Sequence, residues 1–99
     1  MNDYSWPEDG QRSAERRCVA WSATVRTLPV GAPIAGEVIG RQPFGVFIRI
    51  DGVPDAAGLA EITAMPRDAV LPPMGLRVTG VVTSHAEHNR QVKVRLDNW

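Results

Sequence analysis

The sequence predicts a small all-β barrel preceded by one α-helix. Three observations carry that reading. Apolar residues recur three and four positions apart between Ala14 and Leu28. After Pro29 the chain breaks into short alternating runs rich in valine and isoleucine. Glycines fall inside those runs, at Gly36, Gly40 and Gly80, where a tightly curved sheet bends or lets backbones approach closely.

Residues 1–12 are polar, contain Pro7 and Gly10, and read as a flexible arm. From Ser13 the texture changes. Ala14, Cys18, Trp21, Val25 and Leu28 form one apolar stripe at helical spacing. Ser13 suits an N-cap, Glu15 suits the positive end of the helix dipole, and Pro29 ends the run. A helix is predicted over 13–27, within a helix-and-connector segment 13–29, with Cys18 on its buried side. The stripe is expected to pack on the barrel; its alternative use is to present Trp21 to a protein partner, since tryptophan is enriched at interaction hot spots.

The strands follow in order. "IAGEVIGR" at 34–41 puts Ile34, Gly36 and Val38 on one face. "GVFIRI" at 45–50 sends Val46, Ile48 and Ile50 inward, which leaves Phe47 and Arg49 outside, and Gly45 offers a sharp bend. "DGVPDAAG" is turn chemistry and "LAEI" at 59–62 a short strand. The prolines between 63 and 75 allow at most a short helical turn. Strands at 77–84 and 91–97 flank a polar turn. In the last strand Val92, Val94 and Leu96 face in, while Lys93 and Arg95 face out. Five short strands over about 65 residues predict a closed barrel, assigned to residues 30–99.

Composition narrows the function. A chain of 99 residues, 43% apolar and 22% charged, suits one ordinary globular domain. With a single cysteine no intrachain disulfide forms, which suits a reducing compartment. The N-terminus has no basic stretch followed by an apolar run, and no segment approaches the ~20 apolar residues that cross a bilayer. A cytoplasmic protein without membrane contact is expected. His85, Glu87 and His88 cluster at a turn, but a zinc site needs three or four convergent ligands; surface histidines and no metal are expected. Cys18 on a buried stripe is no nucleophile. Nothing resembles a phosphate-binding loop or a catalytic carboxylate pair, so neither catalysis nor a cofactor is expected.

The charge is balanced, eleven basic against eleven acidic residues, whereas nucleic-acid binders usually carry a net basic footprint. Any such function must rest on local clustering. Phe44 and Phe47 suit a stacking platform. Arg49, Lys93 and Arg95, with Arg41 and Arg90, suit a basic face opposed by Glu37, Glu61 and Glu87.

"PVGAPIAGEVIGRQPFGVFIRI", "GLAEIT", "MGLRVTGVV" and "HNRQVKVRL" occur in the order of four elements of a known family. Over residues 30–96 the chain resembles the S-one RNA-binding domain, named after ribosomal protein one of the small subunit. The resemblance implies a five-stranded OB-fold barrel. It also implies a single-stranded RNA surface that includes Phe44, Phe47, position 61 and Arg90, next to Arg49, Lys93 and Arg95. Glu61 stands where that family has histidine, and Ala86 where aspartate commonly opens the last turn. The resulting expectation is a non-catalytic protein that binds single-stranded RNA weakly and with little sequence preference. The alternative is an OB-fold protein-interaction module that has lost RNA binding; the neutral charge, Glu61 and the tryptophan-bearing helix favour it.

Overall fold

A computed structural model of the chain describes residues 4–7, 10–53, 55–97 and 99, the side chains of 10–14 and 17 excepted. Residues 1–3, 8 and 9 of the expected arm, and the side chains of Ser13 and Ala14 in the expected cap and stripe, lie outside the described residues. Helix α1 spans Gly10–Thr27, starting ahead of the expected Ser13. Five strands follow: β1 Pro33–Gln42, β2 Gly45–Ile50, β3 Ala57–Glu61, β4 Arg77–Ala86 and β5 Gln91–Leu96. A 3-10 turn at Ile62–Ala64 opens the proline-rich linker.

The strands close into a barrel in the order β1-β2-β3-β5-β4. Every pairing is antiparallel except β3 with β5, which run parallel. This five-stranded arrangement is the OB fold. Period-two alternation fills the interior as expected: Ile34, Val38, Val46, Ile48, Ile50, Val92, Val94 and Leu96 are all buried. Each such side chain contributes roughly 1.5–3 kcal/mol by leaving water.

Two bulges break the alternation, and each moves a side chain to the opposite face of its strand. In β1, Val38 pairs with Ile48 but Gly40 pairs with Phe47, so Ile39 is the extra residue. Beyond it the faces exchange: Gly40 stands opposite outward Phe47, and Arg41 opposite buried Val46. In β4, Val82 pairs with Val94 and Ser84 with Lys93, so Thr83 is extra and His85 stands opposite buried Val92.

The second bulge corrects the placement of His85. It is not a surface-turn residue but a half-buried member of β4, whose Nε2 lies 2.6 Å from the Leu28 carbonyl oxygen. Its ring meets Trp21 edge-on at 6.1 Å. With Thr24 and Leu28 buried, these contacts fasten the C-terminal part of α1 to the barrel. Trp21 is therefore engaged within the chain, packed partly buried against the core. Cys18 is exposed, contrary to expectation, because the stripe upstream of Trp21 runs past the surface that buries Thr24 and Leu28. Among the described residues no helix is long and apolar enough to cross a membrane, and no three His, Cys, Asp or Glu side chains converge as a metal site would need.

Arg77, at the start of β4, grips Asp51 with a two-pronged ion pair, Nη1 donating to Oδ1 at 3.0 Å and Nη2 to Oδ2. The hydrogen bonds from Arg77 hold the Asp51 carboxyl below its ordinary range, and the same pairing raises Arg77. A depressed carboxylate stabilises the fold above its unfolded pKa, and that contribution vanishes as pH falls through the folded value. Asp51→Asn is thus expected to melt slightly below the parent at neutral pH and together with it at an acid pH where Asp51 is protonated in both the folded and unfolded states. Thermal melts at both pH values check this; the exposed pair makes the effect small.

Candidate nucleic-acid interface

Strands β2, β3 and β5 form one outer wall, and strand register fixes its residues. Phe47 pairs with Leu59, and Leu59 with Lys93. On one side of this row lies Arg49, paired with Ala57, which in turn pairs with Gln91. On the other side lies Gly45, paired with Glu61. Arg95 follows Lys93 two residues along the same face of β5. Adjacent strands are about 4.8 Å apart, so these side chains share one surface. Leu59 is 3% exposed yet stands apart from the interior cluster, so its neighbours on the wall roof it.

The hairpin between β1 and β2 closes through Pro43 and Phe44, with Gln42 paired to Gly45. It sets Phe44 at the corner of the wall, tied down by the Ile62 N–H donating to the Phe44 carbonyl at 2.8 Å. Gly45 permits this corner. It has φ +153°, and any Cβ there would strike the Ala60 carbonyl oxygen and come within 2.9 Å of Glu61 Cα.

Phe44 and Phe47 meet edge-to-face with centroids 5.9 Å apart. A third ring completes the cluster: Trp6 lies 6.1 Å from Phe44 and 5.9 Å from Phe47, tilted to both. These separations fall within the favourable range for aromatic pairs. Trp6 is 66% exposed and Phe44 42%, while Phe47 is half-buried beneath them. Residues 4–7 of the expected arm thus lie against the barrel. Ser5 exchanges backbone hydrogen bonds with Arg41 at 2.6 Å in both directions. Pro7 sits over Gly40, where a Cβ would come within 2.7 Å of the proline ring and 3.0 Å of Phe47.

Trp6 is the site residue that alternation along the strands did not find. Its signal was a pair of aromatics, Tyr4 and Trp6, in an otherwise polar N-terminal segment. Such rings fit a segment that docks better than one that stays in water.

The cations are arranged differently from the expected basic face. Arg49 donates to Glu37 at 2.8 Å, directly across the β1–β2 pairing. Lys93 lies 3.4 Å from Glu61. Arg41 leaves the wall because of the Ile39 bulge; it reaches the Leu71 carbonyl at 3.4 Å and lies 5.6 Å from the centre of the Tyr4 ring. Arg90, in the β4–β5 turn at φ +52°, adjoins Gln91 at one end of the wall. No ion pair among the described residues engages Arg90 or Arg95. The wall therefore combines a stacked aromatic corner, two ion pairs and two guanidinium groups outside those pairs, chemistry suited to planar rings and phosphates.

No family model matches the sequence, and no curated protein matches it either. Solved structures do share its fold. RNase R from Mycoplasma genitalium, in complex with ribose-methylated single-stranded RNA, matches with a TM-score of 0.67 at 16% identity, over 81% of this chain and 14% of that one. The apo form of the same enzyme matches with a TM-score of 0.68 at 17% identity, over 87% of this chain and 15% of that one. GSP13 from Bacillus subtilis matches with a TM-score of 0.58 at 23% identity, over 70% of this chain and 55% of that one. The chain thus spans about one seventh of the RNase R chain and little more than half of GSP13. The likeness is one of fold.

Proposed function

We propose that this chain is a non-catalytic binder of single-stranded RNA, and that the strand lies across the β2–β3–β5 wall with a base stacked at the aromatic corner. The observation that carries the reading is the cluster of exposed Trp6 and Phe44 over half-buried Phe47, the two phenylalanines carried by the β1–β2 hairpin. A base on such a ring gains ~1–3 kcal/mol. Stacking accepts any base, because every base has a π-face, so this part of the interaction carries little sequence preference. Arg90 and Arg95 are the cations available to phosphates, with Arg49 and Lys93 held by their carboxylate partners. The fold shared with an RNase R solved with single-stranded RNA supports the same reading.

The charge arrangement makes a quantitative expectation. Each phosphate neutralised on a single strand contributes about −0.7 to the slope of log K against log salt. Two contacts, at Arg90 and Arg95, give a slope of about −1.4, well short of a strongly basic binder. Fluorescence anisotropy of a labelled oligoribonucleotide from 25 to 200 mM salt (about an eight-fold range) checks it. A flat line would remove the phosphate contacts from the account.

The alternative, a protein-interaction module, attaches to the part of α1 upstream of Trp21, where Cys18 is exposed and Val19 is 90% exposed. That reading expects no response of the aromatic corner to RNA.

A further inference from the structure

We propose that Glu61 and Lys93 read the edge of the base stacked at the aromatic corner and select guanine. The inference rests on the single-stranded RNA reading above and names the nucleotide that this surface prefers.

Glu61 and Lys93 sit beside the aromatic cluster. Glu61 stands opposite Gly45, the residue that follows Phe44. Gly45 has no side chain, so nothing from that position separates the Phe44 corner from the carboxylate. Lys93 lies in the Phe47–Leu59 row, and its side chain is 19% exposed against 44% for Glu61. Their separation of 3.4 Å is longer than the 2.7–2.9 Å of a charge-assisted hydrogen bond, so the pair leaves acceptor and donor capacity unused.

The two groups have a fixed polarity. An ionised carboxylate only accepts hydrogen bonds, through two oxygens; an ammonium only donates. Side by side they present one ammonium donor group and two carboxylate acceptor oxygens. Bases in single strands are read on their Watson–Crick edges. Guanine offers the complement: O6 accepts from Lys93, while N1–H and the N2 amino group donate to the two Glu61 oxygens. Adenine and cytosine each offer one ring-nitrogen acceptor beside one amino donor, which can meet Lys93 and a single Glu61 oxygen but leave the second carboxylate oxygen without a donor. Uracil offers a single N–H between two carbonyls, one of which would face the second carboxylate oxygen, acceptor against acceptor. An acceptor left unpaired or opposed in a site costs more than a missing contact. Stacking is indifferent to sequence; this pair is not.

The test is a set of fluorescent nonamers, U4XU4, with X as guanosine, adenosine, cytidine, uridine or inosine, titrated by anisotropy at one salt concentration. The expected result is a preference of ~10-fold for guanosine. Inosine, which keeps O6 and N1–H but lacks the amino group, falls between guanosine and the rest. Glu61→Gln is expected to lose the guanosine preference, read as the ratio of its guanosine to its uridine affinity. Equal affinity for all five nonamers overturns the inference while leaving the RNA reading intact, as does a guanosine preference that survives in Glu61→Gln. No binding to any nonamer overturns both. The nonamer series reads the parent protein alone, so its outcome does not depend on how the variant folds.

Discussion

Phe47→Ala is expected to weaken binding of an oligouridine nonamer by about thirty-fold, the equivalent of ~2 kcal/mol. Phe47 is the ring on which the corner is built. It contacts both Phe44 and Trp6, and it stands on a strand that is paired on both sides. Removing it leaves Phe44 on a two-residue loop and Trp6 on a short docked segment, so both lose the support that fixes their planes. Alanine at position 47 leaves the interior cluster intact, because that side chain points outward and Val46 and Ile48 fill the barrel. The variant is expected to remain folded by far-UV circular dichroism while anisotropy reports the loss. A folded Phe47→Ala protein that binds like the parent would remove stacking from the mechanism.

Gly45→Ala is expected to lower stability by about 3 kcal/mol, the sum of overpacking and backbone strain of ordinary size. The atoms in the way are the Ala60 carbonyl oxygen and Glu61 Cα, both backbone, so no rotamer change relieves the clash. The backbone at Gly45 also has φ +153°, a conformation that L-residues rarely adopt. In a domain of this size 3 kcal/mol corresponds to a fall of roughly 15 °C in Tm. Gly52→Ala sharpens the comparison. That turn glycine has φ +80° with nothing within 4 Å, so it carries backbone strain without the collision. Gly45→Ala is therefore expected to melt clearly below Gly52→Ala; equal Tm values for the two would show that close approach to β3 is not what requires glycine at 45.

Much of the architecture was legible because the barrel obeys period two over most of its length. Val46, Ile48 and Ile50 on one strand, and Val92, Val94 and Leu96 on another, announced their inner face and so placed Phe47, Arg49, Lys93 and Arg95 outside. The misreadings sit where the period fails. An extra residue at Ile39 and another at Thr83 exchange the faces beyond them, turning Arg41 off the wall and His85 onto the end of α1. A bulge leaves no composition signal in runs such as "EVIGR" or "VVTSH", since either face of each residue type is tolerable locally. The Glu37–Arg49 ion pair was hidden for the same reason: Glu37 falls opposite Arg49 because the Ile39 bulge shifts the register by one. Trp6 required a contact between the first residues and a strand more than thirty positions later, which periodicity does not encode. Cys18 was misplaced because a stripe predicts which face of a helix is apolar, not how much of that face finds a surface.

Placement of single-stranded RNA on the β2–β3–β5 wall can be read residue by residue, by NMR of the nitrogen-15-labelled protein titrated with U4GU4. Saturable shifts are expected in the Trp6 indole and in the backbone amides of Phe44, Gly45, Phe47, Glu61 and Lys93, with the Trp21 indole and α1 unmoved. A spectrum that does not change, or one whose changes map to α1, would contradict it.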